Sequence, residues 1–421
     1  MEQHFPRSIQ VDKSKTNSIT DYMKEQDVSF VRLAFCDIFG QLKNVSISVN
    51  SLKDVLNEGL TFNVAAVRGL LNVEEGDLRL VPDPDTLSIL PWRPSEGKVA
   101  RFFCQIRYAD GRPFEGDVRH ILKQYQDKLA KENTDLQIRS ECEFYLFKQD
   151  DEGNPTDTPM DRASYFEVAP IDKGENIRRE ICLTMERMGI PYGASHHEKG
   201  PGQNEVRFTS LPMIDAADNL IAFKDIVKVT AARMGLFASF LPKPLFSENE
   251  SALSISITCR SASDRKKTAM EMAGGILRRI EEITLFLNPI ANSYERSVPA
   301  RMNYGYGNQR LLIKVHPEEG RVKVRLADPS CNPYLVYLLL SGAAMEGLRD
   351  HVNPDEFNTG RELPDTMIDA IRAAEKSRFV KSMIPGILFE RFLQAKRDDW
   401  EESSLSGDPM LKAKNMEFPV T

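Results

Sequence analysis

No apolar run in this sequence is long enough to cross a bilayer. The longest, such as YLVYLLLSGAAM at 334–345, stop well short of the roughly 20 residues that a spanning helix needs, so no membrane partner is expected. The opening residues, MEQHFPRSIQVDKSK, carry no apolar signal core, and the expected location is cytoplasmic. Six cysteines, at 36, 104, 142, 182, 259 and 331, never form C-x-x-C. They read as reduced, mostly buried thiols, which excludes a disulfide frame and a zinc site. Positive charge is in deficit as well: 55 Lys and Arg face 62 Asp and Glu, for a formal net charge of -7. That balance argues against nucleic acid held by bulk electrostatics. Internal repeats and low-complexity tracts are also lacking. What remains is a globular chain of 421 residues, 41% hydrophobic and 28% charged, enough for one large domain or two unequal ones.

The first hundred residues read as β-rich after one short helix at 18–26. VSFVRLAF, DIFG and QLKNVSISV together predict a hairpin around Gly40. VARFFCQIRY at 99–108 predicts a further strand, closed by the Asp110-Gly111 turn signal. A boundary near 108–115 follows, with an N-terminal domain over 1–110 and a larger one over 111–421. Beyond it, helices predicted at 117–132, 173–188, 214–235 and 265–287 alternate with strands in LQIRSECEFYLF, SALSISIT and RVKVRLADP, the last over 321–329. The helix at 265–287 ends at Asn288-Pro289, where the residue before proline is pushed out of the helical region. Two more helices, at 364–376 and 385–399, close an α+β domain of antiparallel strands with helices packed on one side.

The chemistry gathers on strand faces of that larger domain. In SECEFYLF, Glu141 and Glu143 sit at i and i+2, so in a strand both carboxylates leave the same face. A bound cation is the simplest partner for such a pair; a solvated edge-strand face is the other reading. HHEKGPGQNEVRF, 196–208, adds Glu198 and Glu205 in a span too broken for one helix and too charged for a plain core strand. Four carboxylates suit a hard divalent cation such as Mg²⁺ or Mn²⁺, which takes oxygen ligands and works beside substrate phosphates. His196 and His197 read more readily as satisfied core or surface residues than as substrate contacts.

These residues carry a resemblance. E-x-E-F-Y at 141–145, HHE-x-x-PGQ-x-E at 196–205, LPKP at 241–244, NPIANSYER at 288–296 and VRLADPSCNPYL at 324–335 resemble, in order, the motifs of glutamine synthetases of the bacterial type I class. FCDIFGQLK and LVPDPDTLSILPW resemble that family's first-domain segments. The resemblance implies a small β-grasp domain followed by a large glutamine synthetase/guanido kinase-like catalytic domain. It implies a ring-shaped homo-oligomer, hexamer or dodecamer, with active sites between subunits. The implied reaction is ATP-dependent phosphorylation of the γ-carboxylate of glutamate, followed by attack of ammonia, with Mg²⁺ or Mn²⁺ neutralising charge. By motif position, Glu143, Glu198 and Glu205 match the ligands of one metal site and Glu141 a ligand of the second, phosphate-side site. Arg296 matches the arginine that holds the substrate carboxylate, Arg325 a phosphate-side arginine, and Asp37 an aspartate lent to the ammonium site of a neighbouring subunit. Gly202, at the turn before Gln203, and Asn249, which opens NESALSIS, are the further substrate-binding positions.

The departures from the family pattern lie mainly on the nucleotide side. Ser254 and Ser256 stand where the resemblance implies two histidines, and Lys323 where it implies the third ligand of the second metal, a glutamate. Met302 aligns with a flap glutamate, and Gln309 and Lys314 with phosphate-binding arginines, although Arg310 lies one place away. An ammonium repels a metal ion, so Lys323 is expected to pair with Glu141 in the ion's place. Three readings follow: a γ-glutamyl ligase acting on ammonia or another amine; a catalytically degenerate binding or regulatory homologue without glutamine-forming activity; and a metal-assisted reaction without ATP. ELPDTM, 362–367, has no tyrosine where some relatives carry an adenylylation site, so that regulation is not expected.

Overall fold

The computed structural model describes residues 13–67, 69–70, 77–93, 96–297, 301–307 and 310–406. The chain divides into two compact units, residues 1–121 with 183–191 and residues 122–182 with 192–421.

The first unit opens with helix α1 (Lys13–Glu25) and the strands β1 (Val28–Cys36) and β2 (Leu42–Ser48). Helix α2 (Leu52–Glu58) follows, then β3 (Leu60–Phe62), β4 (Leu78–Pro82), β5 (Ser88–Ile89) and β6 (Lys98–Arg107). The strand order is β2-β1-β6-β4-β3, with β5 also on β6. The β1–β2 pairing is the hairpin expected around Gly40, whose φ of 82° suits a residue without Cβ. β1 and β6 run parallel through the middle of the sheet. Ile19 and Met23 of α1 and Leu52 and Val55 of α2 join Leu33, Phe35, Leu80 and Phe102 in one buried core. β2 is an edge strand whose exposed residues are polar apart from Val45, which discourages pairing with another chain.

Helices α3 (Val118–Lys131) and α4 (Glu175–Arg187) each carry residues of both units. Within the second unit, β7 (Leu136–Gln149) is the central strand. Around it come β8 (Pro155–Pro159), β9 (Tyr192–His197), β10 (Gln203–Phe208) and β11 (Leu211–Pro212), then helix α5 (Met213–Arg233), β12 (Leu236–Ser239) and β13 (Leu253–Cys259). Helix α6 (Arg265–Leu287), β14 (Tyr304–Gly305), β15 (Ile313–His316), β16 (Arg321–Val324) and helix α7 (Pro333–Asp350) follow, and α8 (Met367–Lys376), α9 (Arg378–Met383) and α10 (Gly386–Ser406) end the unit. The sheet order is β14-β15-β16-β13-β7-β10-β9, and β8, β11 and β12 also pair with β7. Every partner of β7 is antiparallel to it. Side chains alternate along β7, so Cys142 and Phe144 face the core, where Phe144 packs edge-on against Phe223 of α5. Arg139, Glu141 and Glu143 leave the opposite face.

The charged span 196–208 is divided between the end of β9, a turn at 198–202 and β10, with Glu205 and Arg207 on one face of β10. Two expectations need correction. The strand expected over 321–329 stops at Val324: the carbonyls of Leu326 and Ala327 are taken by Arg296, and Ala327 O also accepts from Leu253 N. The sequence reads DPSCNPY, 328–334, as a Pro-rich turn; it is the start of α7, with the Asn332 side chain capping Tyr334 N at 3.0 Å and Pro333 at the first helical position.

Candidate active site

Cross-strand register assembles the site. Glu143 of β7 lies opposite Glu205 of β10, and Glu205 lies opposite His196 of β9. One step along, Glu141 lies between Arg207 on β10 and Ser254 on β13. A further step gives the row Arg139, Ser256, Lys323 and Lys314, across β7, β13, β16 and β15. Partners directly opposite in antiparallel strands share a face, so all these side chains stand on one surface.

One end of that surface is acidic and buried. Glu143 accepts from Gln203 Nε2 and Ala252 N, both at 3.0 Å. Burial, with repulsion from Glu198 and Glu205, holds its carboxyl well above the usual range. Burial and Glu205 raise Glu198 as well. Glu205 goes the other way: burial opposes its charge, but hydrogen bonds from His196 Nε2 at 3.0 Å and Arg207 Nε at 2.6 Å lower its pKa. His196 faces two acceptors, the His197 carbonyl at 3.1 Å and the Glu205 carboxylate, an arrangement that favours the doubly protonated ring. Burial works against that charge, and Glu205 outweighs it, raising the imidazole's pKa. His196 Nδ1 also lies 3.7 Å from Glu198. Three carboxylates in close company, two of them pushed up by their acidic neighbours, are a donor set a divalent cation fits. Glu198, Glu205 and His196 offer ligand atoms within 4.8 Å of one another.

The turn that closes this end is built for it. Glu198 N donates to Gln203 O at 2.8 Å, and Gly202 takes φ +66° with the carbonyl of Leu146 crowding any Cβ. Asp161, which sequence reasoning did not single out, accepts from Gly202 N at 2.9 Å, Lys173 N at 3.0 Å and His197 Nε2 at 3.0 Å. Together with Asp172, held by Gly174 N and Arg178, it ties the turn to the loop before α4. This second acid–histidine group is saturated by N–H donors and does not fit an ion.

The other end is basic. Lys323 Nζ donates to Glu141 at 2.6 Å, the pairing expected from the sequence. Arg139 Nη2 and Arg207 Nε each approach the same carboxylate at 3.9 Å. Ser254 sits opposite Glu141 and supplies a hydroxyl, a poor metal ligand beside an ammonium. Glu141, Ser254 and Lys323 therefore do not fit a second metal ion. Arg139 was legible from the alternation R-x-E-x-E but went unread.

The remaining candidates scatter. Arg296 is a correction: its side chain is 0% exposed, and all five N–H groups are spent on Ser251 O, Ala327 O, Leu326 O, Asn288 Oδ1 and Ser293 O. It clamps the backbone beneath the sheet and has no donor left for a substrate carboxylate. Arg325, two residues past Lys323, keeps a buried Nη1 with no hydrogen-bond partner among the described residues. Asn249 contributes its carbonyl, which accepts from Tyr145 at 2.5 Å. Ser256 accepts from Arg321 Nη1 at 3.2 Å. Met302 is buried and bonded through its backbone to Arg361 and Gly360. Lys314 faces Lys323 across β15 and β16. Gln309 lies outside the described residues. In the first unit, Asp37 turns inward on its own loop, accepting from Phe39 N and Gln41 N at 2.9 Å with Lys43 at 3.7 Å. Burial, opposed by those bonds and by Lys43, raises it to about 6.

The small mixed-sheet unit and the larger, mainly antiparallel sheet correspond to a β-grasp domain and a catalytic domain. Residues 27–109 match the family profile described as the glutamine synthetase β-grasp domain, and residues 115–411 the one described as the glutamine synthetase catalytic domain. A glutamine synthetase of Methanosarcina mazei is 34% identical over 94% of this chain and 96% of its own length. One of Clostridium saccharobutylicum is 35% identical over 93% and 96%. The chain belongs to the glutamine synthetase family. In fold it is similar to a GmaS–ADP complex, with TM-score 0.82 and 24% identity over 94% of this chain and 98% of that one. It is equally similar to the glutamine synthetase of Plasmodium falciparum, with TM-score 0.82 and 19% identity over 92% and 96%. No described helix is long and apolar enough to cross a membrane.

Proposed function

We propose that this chain is an ATP-dependent γ-glutamyl ligase, joining ammonia or another amine to the γ-carboxylate of glutamate through a γ-glutamyl phosphate. Glu143, Glu198 and Glu205 would hold one Mg²⁺ or Mn²⁺. When bound, that ion supplies positive charge against which phosphoryl transfer and amine attack proceed. Lys323, fixed on Glu141, supplies a permanent positive charge on the neighbouring row. His196 keeps Glu205 ionised and oriented, and Gln203 orients Glu143. The observation that carries this reading is the convergence of Glu143, Glu198 and Glu205, where acidic neighbours push the first two carboxyls up. The chain would work in the cytoplasm as a ring-shaped homo-oligomer, hexamer or dodecamer.

A second reading, a binding or regulatory homologue that makes no glutamine, is favoured by the Lys323–Glu141 bridge and by Ser254 and Ser256 on the nucleotide side. Each lost charge-stabilising group can cost orders of magnitude in rate. Release of ADP with glutamate, Mg²⁺ or Mn²⁺ and a panel of amines separates the two. Amine-dependent release supports the ligase; no release across the panel from folded protein leaves the binding homologue.

A further inference from the structure

The basic end of the sheet face holds more donors than its own acids use. Lys323 and Arg207 are engaged by Glu141 and Glu205, and Arg321 is held by Glu319 and Ser256. Arg139 is different. Its nearest carboxylate oxygen, on Glu141, is 3.9 Å away, and it makes no protein hydrogen bond among the described residues; its Nε is buried without a partner. Burial, and then repulsion from Arg321, press on its charge. Ser256 lies between Arg139 and Lys323 in one cross-strand row. Two strand spacings put the backbones of these two cations about 10 Å apart, room for a tetrahedral oxyanion between an arginine fork, a serine hydroxyl and an ammonium. Arg139 is 34% exposed and Lys323 18%, so the two cations at the ends of the row are open to a small ligand, while Ser256 between them is buried and holds Arg321.

We infer that the row Arg139, Ser256 and Lys323, flanked by Arg321, binds a phosphate-type dianion directly, with no divalent cation between protein and anion. The protein's own cations there replace the ion that Glu141 cannot hold beside Lys323. This goes beyond the ligase reading and holds for an active or an inactive chain.

The test is calorimetric titration of inorganic phosphate into the full-length protein in excess EDTA, at mildly alkaline pH where phosphate is a dianion. Neither ATP nor glutamate is present, so the result is separate from the ADP-release assay. Binding in EDTA is expected, weakened about tenfold by Arg139→Gln and again by Lys323→Met. Binding that requires added Mn²⁺, no binding by wild type, or binding unchanged in both variants overturns the inference. Should Lys323→Met fail to fold, Arg139→Gln decides alone, because that guanidinium makes no hydrogen bond that folding depends on.

Discussion

Along β7 the same sheet face changes character over the four residues from Glu143 to Arg139, about 13 Å of strand. At the Glu143 end, acidic neighbours push Glu143 and Glu198 up, while His196 and Arg207 hold Glu205 down. At the Arg139 end, cations crowd a single carboxylate, Glu141. The backbone scaffold is shared, so the contrast lies wholly in side chains. One end fits an ion from solution, while the other carries its positive charge covalently. A fixed ammonium does not exchange, needs no metal supply and cannot be removed by chelation.

The sharpest way to break that contrast is through Arg296, which the sequence assigned to substrate and the structure assigns to the frame. Arg296→Ala strips the arginine donor from five acceptors, one of which, Ala327 O, keeps Leu253 N, and is expected to cost about 3–5 kcal/mol in chemical denaturation. Unchanged stability with weakened glutamate binding would return it to the substrate. Next, Glu205→Gln removes a ligand from the acidic end and should weaken Mn²⁺ binding by about 100-fold, read by calorimetry; no change there means that the carboxylates are not a metal site. Asp37 is a buried carboxylate outside the sheet. Its folded pKa of about 6 exceeds its ordinary value of 3.8, so the stability it contributes is full below about 4 and is lost as pH rises through about 6. Relative to Asp37→Asn, wild type should lose about 2 kcal/mol between those pH values in paired denaturation series. The smallest effect is expected at the basic end, where Lys323→Met should cost about 1 kcal/mol, because Arg139 and Arg207 remain 3.9 Å from the Glu141 carboxylate. Wild type should bind one Mn²⁺ in the second unit. Pairing Lys323→Glu with Ser254→His should create a second site, and two ions bound to wild type would dissolve the contrast.

The strands were legible because alternation is a local signal: Glu141 and Glu143 on one face with Cys142 and Phe144 on the other, and Lys323 two places from Arg321. The Lys323–Glu141 pair was readable because two residue types, an ammonium and a carboxylate, fell at positions that the family motifs bring together. Arg296 was misread since motif position says nothing about burial, and its five acceptors come from segments 251, 288–293 and 326–327, dispersed in sequence. The α7 helix was missed because Asn332-Pro333 serves equally as a turn and as a helix start. His196 stayed open because its protonation follows from two acceptors, one of them the carbonyl of its own neighbour. Asp161 carried no motif at all; its role comes from the backbone N–H groups of Gly202 and Lys173 and the ring of His197.

The two ends of the face also differ in when they can be made. Glu143 meets Glu205 once β10 has left the ribosome, 62 residues behind β7, whereas Lys323 is separated from Glu141 by 182 residues. Loop closure over the longer span is entropically more demanding, and strand pairings of that range form late. A nascent chain that has reached β13 thus exposes Glu141 with Arg139 and Arg207 beside it but no lysine. The arrival of β16 is then the step that gives the face its final charge.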